Sequence, residues 1–161
     1  MAATTDLAIY RTQVLPEWVD YNGHLRDAYY VLVASYAVDA LMEHLGIDAP
    51  YRQRTHCTLY TLELHVHFFH EVKQEDLLEV TVRIAAADAK RIHAEFHVGC
   101  ARLTEPAASI ELMLLHVEQG ESVKSVAFPA EIARALETLQ AATAGAPPAK
   151  RGSRKMELRG R

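Results

Sequence analysis

Four long blocks of alternating apolar residues limit most strongly how this chain can fold. Apolar side chains recur at every second position in residues 60–68, 78–84, 92–100 and 110–114, which is the spacing of half-buried β-strands. The breaks between the blocks are short and polar, whereas parallel neighbours would need crossovers of about a dozen residues or more. The pattern therefore predicts four long antiparallel strands.

One long helix is predicted before these strands. Apolar residues from Tyr30 to Leu45 recur at helical spacing as one stripe, and Gly46 suits a left-handed C-cap. Residues 6–15 alternate as a first strand, and a last amphipathic helix is predicted from Pro129. The predicted fold class is α+β, with one antiparallel sheet wrapped around a central helix. Because that helix covers only one face of the sheet, we expect a homodimer or a dimer of dimers.

Composition excludes several classes of protein. The chain has 161 residues, of which 50% are hydrophobic and 24% charged, as expected for one globular domain. It has no pattern of a secretory signal and no apolar run near the roughly 20 residues of a membrane helix, so no membrane partner is expected. Cys57 and Cys100 lie in strand patterns without metal-site or redox spacing, which predicts reduced thiols and a cytoplasmic location.

Charge is distributed unevenly along the chain. From Lys150 onward there are six basic residues and one acid, so the total of −4 leaves about −9 on the rest of the chain. Such an acidic body binds nucleic acid poorly, and no nucleic-acid partner is expected. The basic segment follows the sequence AGAPPA and is expected to be loosely ordered. We therefore predict a domain over residues 1–142 and a basic tail over residues 143–161.

The loop before the long helix is chemically dense. Its sequence is EWVDYNGHLRDAYY, residues 17–30. Asp20 beside Asn22 and Gly23 is common turn chemistry, yet a carboxylate there can also act as a base or nucleophile. Gly23 permits a tight turn or the close approach of a ligand, and the amides that follow it would begin the helix without acceptors. His24 can both donate and accept a hydrogen bond.

The order of elements and this motif resemble a known family. VDYNGHLRDAYY is similar to the signature of hotdog-fold acyl-CoA thioesterases related to 4-hydroxybenzoyl-CoA thioesterase, in which an Asp, two variable residues, Gly and often His precede the central helix. The blocks YTLELHVHFFHEV, ADAKRIHAEFHV and ELMLLHVEQG resemble the subgroup associated with carnitine breakdown, which hydrolyses betainyl-CoA. The resemblance covers roughly residues 6–142 and implies a hotdog enzyme that hydrolyses a short-chain acyl-CoA.

The resemblance assigns expected roles to the loop. Thioester hydrolysis needs water or a carboxylate aimed at the carbonyl carbon, and donors for the oxyanion. Asp20 falls at the catalytic acid position of the family, where it would be general base or nucleophile. Asn22, Gly23 and His24 are the other expected catalytic residues, and the amides of residues 24–27 the expected oxyanion donors. No cofactor is implied, because coenzyme A is part of the substrate and a product.

A betainyl group would require a cage for its trimethylammonium cation, which aromatic faces bind well. Trp18 and Tyr21 flank Asp20 and are the expected walls of this cage. Tyr60 and Glu63 lie on a strand expected beneath the helix, and alternation would put them on opposite faces, so that at most one faces a given pocket. Lys90 and Arg91, at a turn between strands, are expected to contact the phosphates of coenzyme A.

Two other classes of function stay open from the sequence. One is a hotdog hydratase or dehydratase that acts on an acyl thioester. The other is a non-catalytic ligand-binding protein, or a metal protein that uses strand histidines. No H-E-x-x-H or similar motif supports a metal site, and none is predicted. The strand histidines are His65, His67, His93 and His97.

Overall fold

The computed structural model describes residues 7–145. Its elements are β1 (Leu7–Gln13), a 3₁₀ turn (Pro16–Trp18), α1 (Asp27–Leu45), α2 (Ala49–Thr55), β2 (Cys57–Phe68), β3 (Leu77–Ala87), β4 (Arg91–Cys100), β5 (Ala108–Glu118), β6 (Lys124–Ser125) and α3 (Ala130–Thr143). The predicted first strand, four long strands and two helices are therefore present. Most of the predicted basic tail lies outside the described residues, and the domain boundary near residue 142 stays a prediction.

The long strands form one antiparallel sheet in the order β1-β3-β4-β5-β2, and β6 pairs with the end of β5. β1 and β2 are consecutive in sequence but lie at opposite edges. The connection through α1 and α2 therefore crosses the sheet, and α1 covers the apolar face of the strands. This arrangement confirms the predicted α+β hotdog fold.

The apolar stripe of α1 supplies one half of the core. Val33, Ala34, Ala37 and Leu41 have no exposed surface, and neither has Phe96 of β4 on the facing side. Burial of a Leu or Phe side chain stabilises a fold by about 1.5–3 kcal/mol, so this helix is bound tightly to the sheet.

The ends of α1 fix where the preceding loop stands. The helix begins at Asp27, three residues before the predicted stripe, and ends at Leu45, with Gly46 as its C-cap. Gly46 has φ 84° and donates its N–H to the carbonyl of Glu43 at 3.1 Å. The predicted left-handed C-cap is confirmed.

The short helix α2 was not predicted, because seven residues carry too little periodicity. Tyr51 anchors it to the end of the sheet: its hydroxyl lies 2.9 Å from His116 Nε2. His116 Nδ1 lies 3.0 Å from the carbonyl of Val126. A carbonyl only accepts, so Nδ1 carries the proton and Nε2 accepts from Tyr51. Burial raises the pKa of Tyr51, which stays a neutral donor.

A β-bulge in β2 corrects one expectation about the sheet. The register with β5 shifts around Leu62, so that Tyr60 pairs with Leu115 and Glu63 with Met113. Because the bulge uses one extra residue, Tyr60 and Glu63 lie on the same face of the sheet. The prediction that alternation separates them was wrong. Their face is the one opposite the buried core.

No single helix among residues 7–145 is both long and apolar enough to cross a membrane. α1 and α2 together satisfy the length and composition criteria, but they are bent by 77° at their junction.

Candidate active site

The loop between β1 and α1 folds as a tight turn around Asp20. The carbonyl of Asp20 accepts from the N–H of Gly23 at 3.0 Å, and the N–H of Asp20 donates to the carbonyl of His24 at 2.9 Å. Gly23 has φ 76°, in the left-handed region where glycine avoids the Cβ penalty. A Cβ at this position would meet nothing within 4 Å. Within this chain, the backbone conformation and not crowding requires glycine here.

The carboxylate of Asp20 is held by the same turn. Its Oδ1 accepts from the N–H of Asn22 at 2.8 Å and from the N–H of His24 at 3.1 Å. These hydrogen bonds, that from His24 above all, hold the pKa of Asp20 below its usual value of 3.8. Asp20 is therefore an ionised carboxylate at neutral pH, as either a base or a nucleophile must be.

Most of the expected oxyanion donors are already used. The amides of residues 24, 25 and 26 donate to protein oxygens at 3.1, 2.8 and 3.0 Å. The acceptors, in the same order, are Asp20 Oδ1 and the carbonyls of Val72 and Trp18. Within residues 7–145, the N–H of Asp27 has no hydrogen-bond acceptor. The expectation of four donors is corrected to one, the first amide of α1.

A cavity of about 320 Å³ opens between the start of α1 and the chain that follows β2. Its lining combines aromatic rings, imidazoles and carboxylates. The lining residues are His24, Leu25, Asp27, Tyr30, Phe68, Phe69, His70 and Glu71. Of the residues whose side chains were predicted for the site, His24 lines this cavity, and so do Leu25 and Asp27 of the predicted donor segment. Asp20 is joined to the cavity through the His24 amide.

Tyr30 belongs to both the core and the cavity. Only 4% of its surface is exposed, and its ring meets Phe68 edge to face, with centroids 5.1 Å apart and planes at 80°. Burial raises the pKa of Tyr30 to about 12, so its phenol is neutral at every physiological pH. The prediction that Tyr30 packs in the core is confirmed, and the ring also forms a wall beside Phe68.

Glu71 also lines the cavity, although no pattern in the sequence predicted it. Its Oε2 lies 3.2 Å from His24 Nε2, and the surrounding chain is fixed by Arg102. Arg102 Nη2 donates to the Glu71 carbonyl at 2.9 Å and to Asp76 Oδ2 at 2.8 Å. Hydrogen bonding by this guanidinium lowers the pKa of Asp76. No local pattern marks Glu71, because the contact joins two loops that are distant in sequence.

Neither aromatic residue expected to form the cage lines the cavity in this chain. Trp18 is 8% exposed and stacks on Tyr29, with centroids 5.4 Å apart and planes at 18°. The stack pins the loop to the first turn of α1 and makes Trp18 part of the core. Tyr21 is 95% exposed at the tip of the turn.

Lys90 and Arg91 lie far from this cavity within one chain. Arg91 donates from both Nε and Nη2 to Asp88 Oδ2, at 2.8 and 2.6 Å, and Lys90 Nζ donates to Ser125 Oγ at 2.9 Å. The partners of Arg91 and Phe68 on β5 are seven residues apart. At about 3.3 Å per residue, this separation is about 23 Å. The two basic residues therefore lie at the opposite end of the sheet.

The side chains of Tyr60 and Glu63 also make their contacts away from the cavity. The hydroxyl of Tyr60 accepts from Gln119 Nε2 at 3.0 Å. Glu63 Oε1 lies 2.7 Å from His65 Nε2. The structure thus does not bring either residue to Asp20 within the same chain.

The strand histidines do not come together as a metal site built from several imidazoles would require. Among the described residues, the group with metal-ligand atoms within 4.8 Å of one another is His93, Glu95 and Glu111, which holds one histidine. His93 Nε2 lies 2.6 Å from Glu111 Oε1. Arg83 Nη1 donates to Glu95 Oε2 at 2.9 Å and puts a positive charge inside this group.

The fold and this loop agree with the comparison to known families. Residues 14–136 match the family model of the thioesterase-like superfamily. The chain belongs to this thioesterase superfamily. It is therefore a thioester hydrolase, and the predicted family and enzyme class are confirmed. The individual roles of Asp20, Asn22, Gly23 and His24 stay predictions.

Relatives of this thioesterase are similar over most of its length. The betainyl-CoA thioesterase of Pseudomonas aeruginosa is 44% identical over 141 residues, which cover 88% of each chain. The L-carnitine dehydrogenase/betainyl-CoA thioesterase of Agrobacterium fabrum is 38% identical over 147 residues, or 91% of this chain and 30% of that protein. The crystal structure of a candidate thioesterase from Pseudomonas putida superposes with a TM-score of 0.86 at 38% identity, covering 97% of this chain and 99% of that one.

Proposed function

We propose that this thioesterase hydrolyses betainyl-CoA to glycine betaine and free coenzyme A. The observation that carries the proposal is the 44% identity, over 88% of both chains, to the betainyl-CoA thioesterase of Pseudomonas aeruginosa. The relative from Agrobacterium fabrum joins the same activity to an L-carnitine dehydrogenase, which fits a role in carnitine breakdown. These relatives are named as thioesterases, which favours hydrolysis over the hydratase or dehydratase alternative.

Asp20 is the proposed base or nucleophile. As a base, it takes a proton from a water whose oxygen bonds to the carbonyl carbon, and the C–S bond then breaks to release coenzyme A. As a nucleophile, its oxygen bonds to that carbon, coenzyme A leaves, and water hydrolyses the mixed anhydride. Since Oδ1 serves the turn, Oδ2 is the reacting oxygen in either route. Turnover in ¹⁸O-water tests the second route, because label in the Asp20 carboxylate would establish an anhydride that water attacks at the aspartyl carbon.

The first amide of α1 is the proposed oxyanion donor. Asp27 opens the helix and lines the cavity, its N–H has no acceptor among the described residues, and a helix N-terminus favours negative charge. One such donor stabilises a transition state by about 2.7–4 kcal/mol. Its contribution is therefore comparable to that of a general base.

A homodimer, alone or as a dimer of dimers, is the proposed assembly. β2 is an edge of the sheet and carries the exposed apolar side chain of Leu62 near its centre. In a two-fold dimer this edge would pair antiparallel with itself. The start of the partner's β2 would then lie beside Phe68, with Lys90 and Arg91 of the partner subunit at the same end. Light scattering should give at least twice the chain mass of 18.0 kDa.

The proposed enzyme needs no cofactor beyond the coenzyme A of its substrate. We also assign it to the cytoplasm, in keeping with the free buried thiols of Cys57 and Cys100. Full turnover after treatment with a chelator, and recovery of the enzyme in the cytoplasmic fraction, are the expected results.

Release of free thiol from a panel of acyl-CoA substrates tests the proposal. Asp20→Asn should reduce kcat on betainyl-CoA by more than about tenfold. Loss of an acid–base group typically costs about a hundredfold or more, so the expected loss is well above this threshold. Asp39→Asn is the matched control, since Asp39 is exposed in the middle of α1. Both variants should melt within a few degrees of wild type. No thiol release from any acyl-CoA by the wild type, or full activity of Asp20→Asn, contradicts the proposal.

A further inference from the structure

We propose that Glu71 and Phe68 select the cationic acyl group of the substrate, as a subsite for its trimethylammonium head. This inference rests on the proposed function and adds residues that the sequence analysis did not assign to the site. It moves the expected cage from Trp18 and Tyr21 to the cavity at the start of α1.

The chemistry of the cavity matches a quaternary ammonium ion. Such an ion has no N–H to donate, so proteins hold it with aromatic faces and nearby carboxylates. The cavity offers two rings in contact, Tyr30 and Phe68, and two carboxylates at its rim, Asp27 and Glu71. A neutral acyl chain would need only the rings.

The carboxylates around the cavity indicate which charge the acyl group carries. Coenzyme A is a polyanion, and carboxylates beside its thioester repel it unless the acyl group carries positive charge. Among the residues that the structure describes, the lining of the cavity includes no Lys or Arg, and Asp20 adds a third carboxylate next to it. Within one chain, the cavity therefore suits an acyl group that brings its own cation.

The placement of the acyl group follows from the same geometry. If the thioester oxygen accepts from Asp27 N–H, the acyl group enters the cavity that Asp27 borders. In a betainyl group the cationic nitrogen is only two bonds from the carbonyl carbon. The cation then lies within the lining of the same cavity, where Phe68 and Glu71 stand.

Both selecting side chains are placed to be covered by a ligand. Phe68 is 52% exposed, although its edge is fixed against Tyr30. The Glu71 side chain is 71% exposed, and its position is set by the contact with His24 and by the hydrogen bond from Arg102 to its carbonyl. Within this chain, the free face of the Phe68 ring and the Glu71 carboxylate are therefore open to a ligand.

A pair of substrates of equal shape isolates the effect of charge. Betainyl-CoA and 3,3-dimethylbutyryl-CoA differ in having N⁺ or carbon at the branched centre. For each, thiol release gives kcat/KM, and the ratio of the two values measures selection for the cation. Glu71→Gln should lower this ratio about tenfold, since a partly exposed contact between opposite charges has about this strength. Phe68→Leu should lower the ratio about threefold or more, because the cation–π contact is lost. Phe68→Tyr keeps an aromatic ring and should give a ratio close to that of wild type.

Glu137→Gln is the matched control, because Glu137 is an exposed glutamate on α3, and its ratio should equal that of wild type. If Glu71→Gln leaves the ratio unchanged, whether or not the two kcat/KM values fall together, the selecting role is overturned while the thioesterase function stands. If the wild type releases thiol from neither substrate, the proposed function and this inference both fall. A Phe68→Leu variant with an unchanged ratio would assign Phe68 to a protein contact instead.

Discussion

Replacement of Asp27 by proline should abolish most of the activity without unfolding the protein. Proline removes the one backbone N–H among residues 24–27 that has no acceptor among the described residues. It is also suited to the site, because Asp27 is the first residue of α1 and proline is favoured at that position. Arg26 has φ −67° and ψ 148°, the extended conformation that a residue before proline must adopt.

The two effects of this substitution differ widely in size. Loss of one oxyanion donor costs about 2.7–4 kcal/mol of transition-state stabilisation, or about 10²–10³ in kcat. The helix should lose little, because proline at a compatible position changes stability by about 1 kcal/mol or less. The hydrogen bond from Ala28 N–H to Asp27 Oδ1, 2.8 Å long, is lost as well. Asp27→Ala loses the same bond and retains the N–H, so it is the matched control.

Thiol release from betainyl-CoA gives kcat for both variants, and thermal melts report their folding. We expect Asp27→Pro to fall at least about a hundredfold below Asp27→Ala in kcat, with melting temperatures that differ by a few degrees. Equal kcat values for the two variants would refute the assignment of this amide as the oxyanion donor. A large and equal loss of kcat in both variants would instead assign the role to the carboxylate, which both variants lack.

Two further predictions concern the scaffold around the site. Trp18→Ala should lower the free energy of unfolding by about 3–5 kcal/mol, the usual cost of truncating a buried aromatic residue. It should also change KM equally for cationic and neutral acyl-CoA substrates. A rise in KM for the cationic substrate alone would show that Trp18 contacts the cation after all. Asp76→Asn should lower stability near neutral pH by about 1–3 kcal/mol, because the charged hydrogen bonds from Arg102 are lost. Since the folded-state pKa of Asp76 is below its usual 3.8, the stabilisation is complete above that value and is lost as pH falls through the folded-state pKa. Denaturant melts of both proteins should therefore converge in acid, and a constant difference would contradict this account.

The sequence by itself determined the long strands, the long helix, the last helix and the turn. Period-two blocks marked β2 to β5, and one helical stripe marked α1, because side-chain direction along a strand or helix depends only on local backbone geometry. Gly46 marked the left-handed C-cap for the same local reason, and Gly23 was expected in a tight turn; both have positive φ. Asp20 was recognisable as a turn former, and the family resemblance added its chemical role.

Only the tertiary structure decided which groups meet. Glu71 reaches His24 because the chain after β2 packs against the loop before α1, and nothing in either segment encodes the other. The bulge at Leu62 reversed the expected faces of β2, since one extra residue shifts every later side chain. Trp18 was expected in the substrate cage, but it lies in the core because its ring stacks on Tyr29. Such contacts depend on the order of strands and on the packing of loops, which local periodicity does not specify.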